Sequence, residues 1–409
     1  MSKILIIHPE GNIKNNPNLF AITRMMVDAG WEILVYSQKR LGIYQGDIFP
    51  GARFVFFPAT VRETICLEKS FVNEDIRFVI GIDDVGIHKA KEIASFLGVK
   101  YLFLSYEILF DAEIKKIGGR TDRINKQRAK IAAQGAELAI AQDETRKQLL
   151  SCEYNIPLEK IVTMPVANSG SHRLNPSRYF YDRLSIPYDK KILLYMGWMD
   201  PKQEQRMVDF AHYIPADWVL VAHSRYKYQT TIDSEYIGAK LFYSCDAPIE
   251  SMDEMGTLLS SCHMGFCSYE PDYSSIFTGD NIKYIGLSSG KTTTFLQYGV
   301  PVIVENMNIW DELVEPNKIG LVMTQPEDLN QLSQINPKEY SDNAFRFFDA
   351  KIDAKIYWTE IWKQIEHHIC LGRFSWLKFQ QYKLRNILID CRENCRSFIK
   401  RMVKSVGNI

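Results

Sequence analysis

The stretch GLSSGKTTTFLQYGVPVIV (residues 286–304) holds three structural signals in succession. Ser288, Ser289 and Gly290 are small and turn-forming, Lys291 to Tyr298 has the composition of a helix, Gly299 stands where a helix ends, and Val300 to Val304 is an apolar run. Such a run, without polar alternation, belongs to a parallel sheet covered on both faces. Small residues let backbone amides approach a ligand, the head of a helix carries partial positive charge, and Lys291 adds a full one, so the loop suits a diphosphate. The hydroxyls of Thr292 and Thr293 are further donors. A Walker loop is excluded, because it requires glycine at position 285, where Ile285 stands. An ordinary capped helix with a surface lysine has the same spacing.

Similar runs lie on either side. KILLYM (191–196), DWVLVA (217–222), AKLFYS (239–244), MGFCS (264–268) and IGLVM (319–323) share the strand pattern of VPVIV and are separated by helix-sized intervals. KILII (3–7), WEILVY (31–36), RFVFF (53–57), RFVIGI (77–82), KYLFL (100–104) and ELAIA (137–141) form an earlier series, with helix-like segments at Leu19–Ala29 and Ile87–Leu97 each followed by glycine. Strand alternating with helix predicts a doubly wound sheet. The expected organisation is α/β, with two Rossmann-like domains at 1–168 and 191–345 facing a cleft. A linker at 169–190 joins them, helices at 346–372 can cross back to the first domain, and a tail occupies 373–409.

With 409 residues, 46% of them hydrophobic and 12% aromatic, the chain can bury a large core, which excludes a disordered protein. Ile4–Ile7 is too short for a signal-peptide core and no run reaches membrane-spanning length. Eight cysteines without a CxxC pair argue against a disulfide framework and a zinc site, and point to a reducing cytoplasmic setting. No His, Asp and Glu cluster has metal-ligand spacing, so no metal is expected.

In parallel sheets ligands bind beyond the carboxyl ends of the strands. Asp83 and Asp84 follow RFVIGI, and Glu107 follows KYLFLSY. A carboxylate there can accept the proton of an incoming hydroxyl, with Glu107 the first candidate base and Asp84 the second. A helix-capping role fits Asp83 or Asp84 equally. Arg225 and Lys227, after VLVAHS, offer charge for a phosphate, and Asp280 and Asn281 lie in the polar segment EPDYSSIFTGDNIKY (270–284) just before the small-residue loop.

SSGKTTTFLQYGVPVIV resembles the donor-binding segment of GT-B glycosyltransferases, in which a small-residue loop, a lysine, a helix and a GxPVI strand follow one another. VIGIDDVGIHKAKEIASFLGVKYLFLSYEILF (79–110) and ELAIAQDETRKQLLSCEYNIPLEKIVTMPVANSG (137–170) are similar to acceptor-domain segments of the glycosyltransferase group 1, family 4-like enzymes, and the resemblance covers residues 1 to about 345. It implies a hexosyltransferase-like, metal-independent enzyme. Such an enzyme moves a sugar from a UDP- or GDP-linked donor to a saccharide or lipid-linked acceptor in cell-surface polysaccharide synthesis, with no separate cofactor. Ser288, Ser289, Gly290, Lys291, Thr292, Thr293, Arg225 and Asn281 then fall on the donor side, and Gly11 and Asn12 on the acceptor side or cleft. Many retaining members carry two glutamates where Gly286 and Thr294 stand here, and the second holds the donor ribose. The basic residue that often follows the first strand of the second domain is replaced by Trp198 and Met199. A catalytically silent GT-B protein that binds a nucleotide sugar or a partner is the alternative these departures favour.

Residues 371–409 hold nine Lys or Arg against Asp390 and Glu393. Leu384, Leu388, Cys391, Cys395, Phe398, Met402 and Val406 make an apolar stripe from which Arg385, Arg392, Arg396 and Lys400 are excluded. This basic amphipathic pattern fits an anionic membrane surface, giving a peripheral protein on the inner face, and fits equally a helix docked on the acidic first domain. Nucleic acid is not an expected partner, since no basic stripe continues beyond the tail.

Overall fold

The computed structural model describes residues 2–10, 13, 16–38, 51–197, 199–224, 240–245, 252–305 and 307–371. β1 (Lys3–Ile7), β2 (Glu32–Ser37), β3 (Ala52–Phe56), β4 (Ile76–Ile82), β5 (Lys100–Leu104), β6 (Leu138–Ala141) and β7 (Ile161–Thr163) form a sheet in the order β3-β2-β1-β4-β5-β6-β7. β8 (Lys191–Gly197), β9 (Trp218–Ser224), β10 (Leu241–Cys245), β11 (Met264–Ser268), β12 (Val302–Glu305) and β13 (Gly320–Met323) form a second, in the order β10-β9-β8-β11-β12-β13. Every pairing is parallel. The order reverses between β1 and β4 in one sheet and between β8 and β11 in the other. Crevices open at such reversals, beyond the carboxyl ends of the strands.

The continuous apolar strands follow from burial on both faces. Ile4 and Ile6 pack with Leu19 and Ile22 of the Pro17–Asp28 helix, while Leu5 and Ile7 pack with Ile87, Ala90 and Ile93 of the Asp83–Leu97 helix. Gly98 ends the latter in the left-handed conformation, φ 69°, as its place after Leu97 predicts. The three-residue β7 has too little pattern to be read from the sequence.

The linker is shorter than the composition suggests. Tyr179–Leu184 is a helix whose Phe180 and Tyr181 join the core of the second domain with Ile192 and Leu194. The chain returns beside its first crossing: the Ala354 amide donates to the Asn168 carbonyl at 3.1 Å, and the Gly170 amide to Asp353 at 3.0 Å. The Ala354–Leu371 helix then buries Trp358, Ile361 and Ile365 against Ile4 and Ile6, with Trp362 edge-on to Trp31 at 5.8 Å. Positions 358, 361, 362 and 365 repeat at helical spacing, so the last helix of the described chain belongs to the first domain's core. The chain thus passes between the domains twice at one edge, the two crossings side by side.

Candidate active site

The second-domain crevice contains the small-residue loop. Ser289 caps the Gly290–Gln297 helix, its hydroxyl accepting from the Thr292 amide at 3.3 Å and bonding Tyr269 at 2.9 Å and the Thr292 hydroxyl at 2.7 Å. The Thr293 hydroxyl donates to the Val166 carbonyl at 2.5 Å, and that of Thr294 to the Gly290 carbonyl at 2.7 Å. Ser289, Thr292 and Thr293 are buried, and their hydroxyls are engaged within the loop and at the domain boundary. Ser288 donates to the Tyr106 carbonyl of the first domain at 3.3 Å. Gly290 lies so close to that domain that a Cβ on it would stand 3.2 Å from Val166 and 3.3 Å from Pro17.

Lys291 is different in kind. Its ammonium lies over the rings of Tyr195 at 4.3 Å and Tyr269 at 4.6 Å, and among the described residues no carboxylate comes within ion-pair distance. Burial lowers its pKa to about 8, with Cys267 pulling weakly the other way. Two aromatic faces replace part of the lost hydration, but an anion would complete it. Arg206, on the Pro201–Tyr213 helix, reaches the same crevice and is within electrostatic reach of the Tyr195 hydroxyl. It is already paired, with Glu305 at 2.5 Å and Glu270 at 3.5 Å. Arg206 is not among the cations the sequence points to after β8; its signal is its place one position before the buried Met207 on a helix started by Asp200 and Pro201.

On the facing domain, Asp83 adopts φ 50°, and its Oδ1 accepts the amides of Tyr106 at 2.7 Å and Glu107 at 2.9 Å. Asp83 therefore ties the turn after β5 instead of capping its own helix. Glu107 accepts a hydrogen bond from Asn281 Nδ2 of the second domain. The orientation of Asn281 is set by its other bonds, since Oδ1 accepts from the Ile108 amide at 3.0 Å and from Arg146 Nη2 at 3.2 Å, which leaves Nδ2 for Glu107. Burial raises the Glu107 pKa, opposed by the Arg146 guanidinium and the Asn281 bond.

Arg146, 1% exposed, bonds Gln142 at 2.7 Å, the Tyr106 carbonyl at 2.7 Å and the Tyr284 carbonyl at 3.0 Å. Asp143 accepts the Leu287 amide at 2.9 Å, and Glu113 accepts the Asp280 amide at 2.6 Å. The polar segment before the loop thus docks on the first domain. Gly286 has φ +43°, and a Cβ there would lie 2.3 Å from Asp143 Oδ2. No glutamate fits at 286 on this backbone, because the Asp143 carboxylate fills the space.

Asp84, the second candidate base, lies inside the first domain: it accepts from the Tyr154 hydroxyl, and Lys126 sits 3.3 Å from the Tyr154 ring centroid. Burial raises the Asp84 pKa to about 6 from 3.8, with Lys126 opposing. The folded state therefore holds this proton more tightly than the unfolded chain. The resulting stability is complete below pH 3.8 and is lost as pH rises through 6, a change of about 3 kcal/mol. Asp84→Asn is expected to remove this slope, which urea unfolding between pH 4 and 7 measures; an unchanged slope would reassign it to another group.

Gly11, Asn12, Trp198, Arg225, Lys227 and the 373–409 tail lie outside the described residues. Among the described residues no group of three His, Cys, Asp or Glu is placed to hold a metal ion, and no helix is long and apolar enough to cross a membrane.

Two doubly wound parallel-sheet domains, joined at a double crossing, give the chain a GT-B, glycosyltransferase group 1-like fold. Solved structures with this architecture include sucrose-phosphate synthase from Thermosynechococcus elongatus, with 12% identity over 91% of this chain and 100% of that one at TM-score 0.64. Anabaena Alr3699/HepE in complex with UDP-glucose matches with 13% identity over 90% and 100% at TM-score 0.64. A putative UDP-N-acetylglucosamine 2-epimerase from Listeria monocytogenes matches with 14% identity over 90% and 96% at TM-score 0.54. No protein-family profile matches the chain, and no curated protein matches it in sequence.

Proposed function

We propose that this protein is a glycosyltransferase that moves a sugar from a UDP- or GDP-linked donor to a saccharide or lipid-linked acceptor. The observation that carries the reading is Lys291, a desolvated ammonium without a carboxylate partner among the described residues, at a helix head beside the second domain's reversal point. A departing nucleoside diphosphate supplies the missing anion, and stabilising that charge is the main electrostatic task of such a transfer without a metal. Glu107 lies across the boundary on a turn that also accepts from Ser288 of the donor loop, and takes the acceptor proton. HepE, solved with UDP-glucose, supports a nucleotide-sugar donor. The fold alone does not decide the chemistry, since an epimerase shares it. We further place the enzyme at the cytoplasmic membrane face, held by its basic tail, in surface polysaccharide synthesis and without a resident metal.

Lys291→Ala is expected to weaken nucleotide-sugar binding and to lower transfer at least tenfold while leaving the melting curve in place. Calorimetric titration with UDP- and GDP-linked sugars checks it, and a variant that binds and transfers normally would remove Lys291 from the site. The second reading, a silent binding protein, is favoured by Gly286, where Asp143 excludes a glutamate. Donor binding without transfer or slow donor hydrolysis would select it.

A further inference from the structure

We propose that Lys126 is a positioning residue for Glu107: from inside the first domain it holds the Leu109 carbonyl, and so fixes the turn that presents the carboxylate. The inference rests on the role proposed above for Glu107. Residues 105–110 run from β5 to the Asp111–Lys116 helix without regular structure, and of these only Glu107 is not buried. A buried turn cannot give its backbone polar groups to water, so each needs a partner from the protein.

Those partners are side chains from separate elements. Before and at Glu107, Asp83 takes the amides of Tyr106 and Glu107, and Arg146 donates to the Tyr106 carbonyl at 2.7 Å. Beyond Glu107 the hold passes to Lys126 on the Arg120–Gln134 helix, whose ammonium donates to the Leu109 carbonyl at 2.5 Å. Tyr154, the last residue of the Glu144–Tyr154 helix, backs it: its hydroxyl meets the Leu109 backbone and donates to Asp84, and its ring centroid lies 3.3 Å from the Lys126 ammonium. Lys126 is 2% exposed, and burial lowers its pKa to about 8, with Asp84 opposing. An apolar side chain of the same length would fill this space without the cost of burying a charge, so the donor itself is what the site retains. The cation that acts on the Glu107 carboxyl is Arg146. Lys126 therefore reaches Glu107 through the geometry of the turn, two residues along the chain.

The test is Lys126→Met in the full chain, which keeps the stem and removes the donor. UDP-glucose and GDP-mannose serve as donors and water as acceptor: Glu107 takes the proton of the attacking water, its oxygen bonds the sugar, and the nucleoside diphosphate leaves. The variant is expected to lower kcat about ten- to a hundredfold, as for a reacting group displaced by up to about 1 Å, with KM for the nucleotide sugar unchanged. Hydrogen–deuterium exchange at the amides of 106–109 is expected to quicken. The acid limb of the rate profile is expected to stay in place, because Arg146 still faces Glu107. Tyr154→Phe keeps the ring and removes the hydroxyl, and is expected to move kcat and exchange in the same direction if Lys126→Met does not fold. A lower melting point with kcat and exchange unchanged would make the lysine structural only and overturn the proposal. A KM that rises with the loss in rate, or a displaced acid limb, would also overturn it, the latter making Lys126 an electrostatic partner of Glu107. Turnover that survives Glu107→Gln would remove the base assignment, and the positioning role with it. Absence of turnover of either donor by the full chain would sink the transferase reading itself.

Discussion

Glu107→Gln is expected to lower the transfer rate between a hundred- and ten-thousand-fold, the range a positioned general base contributes, while nucleotide binding stays unchanged. Gln keeps the volume of the side chain and an oxygen for Asn281 Nδ2, so the inter-domain bond survives and only proton acceptance is lost. The pH profile is a second readout. Burial, the largest influence, raises the Glu107 pKa, so the acid limb of kcat/KM is expected above the ordinary carboxylate value of 4.5 and to vanish in the variant. Steady-state transfer from pH 4 to 8 decides the matter. A variant with full activity and an intact acid limb would dismiss Glu107 as the base.

Arg146→Ala is expected to cost about 3–5 kcal/mol, because it leaves a buried cavity and takes a hydrogen-bond donor from acceptors in both domains. Arg146→Lys is expected to recover little, since an ammonium cannot present the planar fork that reaches Gln142, Tyr106 and Tyr284 together. As the side chain joins the two domains, its removal is also expected to split thermal unfolding into two calorimetric transitions. A single transition at an unchanged midpoint would show that the boundary is held elsewhere.

The role expected of Asn281 shows where sequence reading reached its limit. Its place just before the small-residue loop made it a donor contact, yet the structure uses its amide between the Ile108 amide, Arg146 and Glu107. Ser289, Thr292 and Thr293 were legible as a helix head and a hydroxyl-rich loop, but their hydroxyls face the protein. Arg146 lies 135 residues from Asn281 in the chain, and nothing in either local sequence announces the bond between them.

The sequence by itself determined the two parallel sheets, the helices between them, the small-residue loop with its lysine and the carboxylate turn after β5. These follow from periodicity, from glycine and from residue type, all local properties that neighbouring residues report directly. Only the tertiary structure decided which groups are already engaged and which are open. Hydrogen-bond satisfaction in a buried boundary depends on partners brought together by the fold, and the cost of leaving one unpaired is what commits Asn281, Ser289 and Arg206. The same accounting leaves Lys291 without a counter-ion among the described residues.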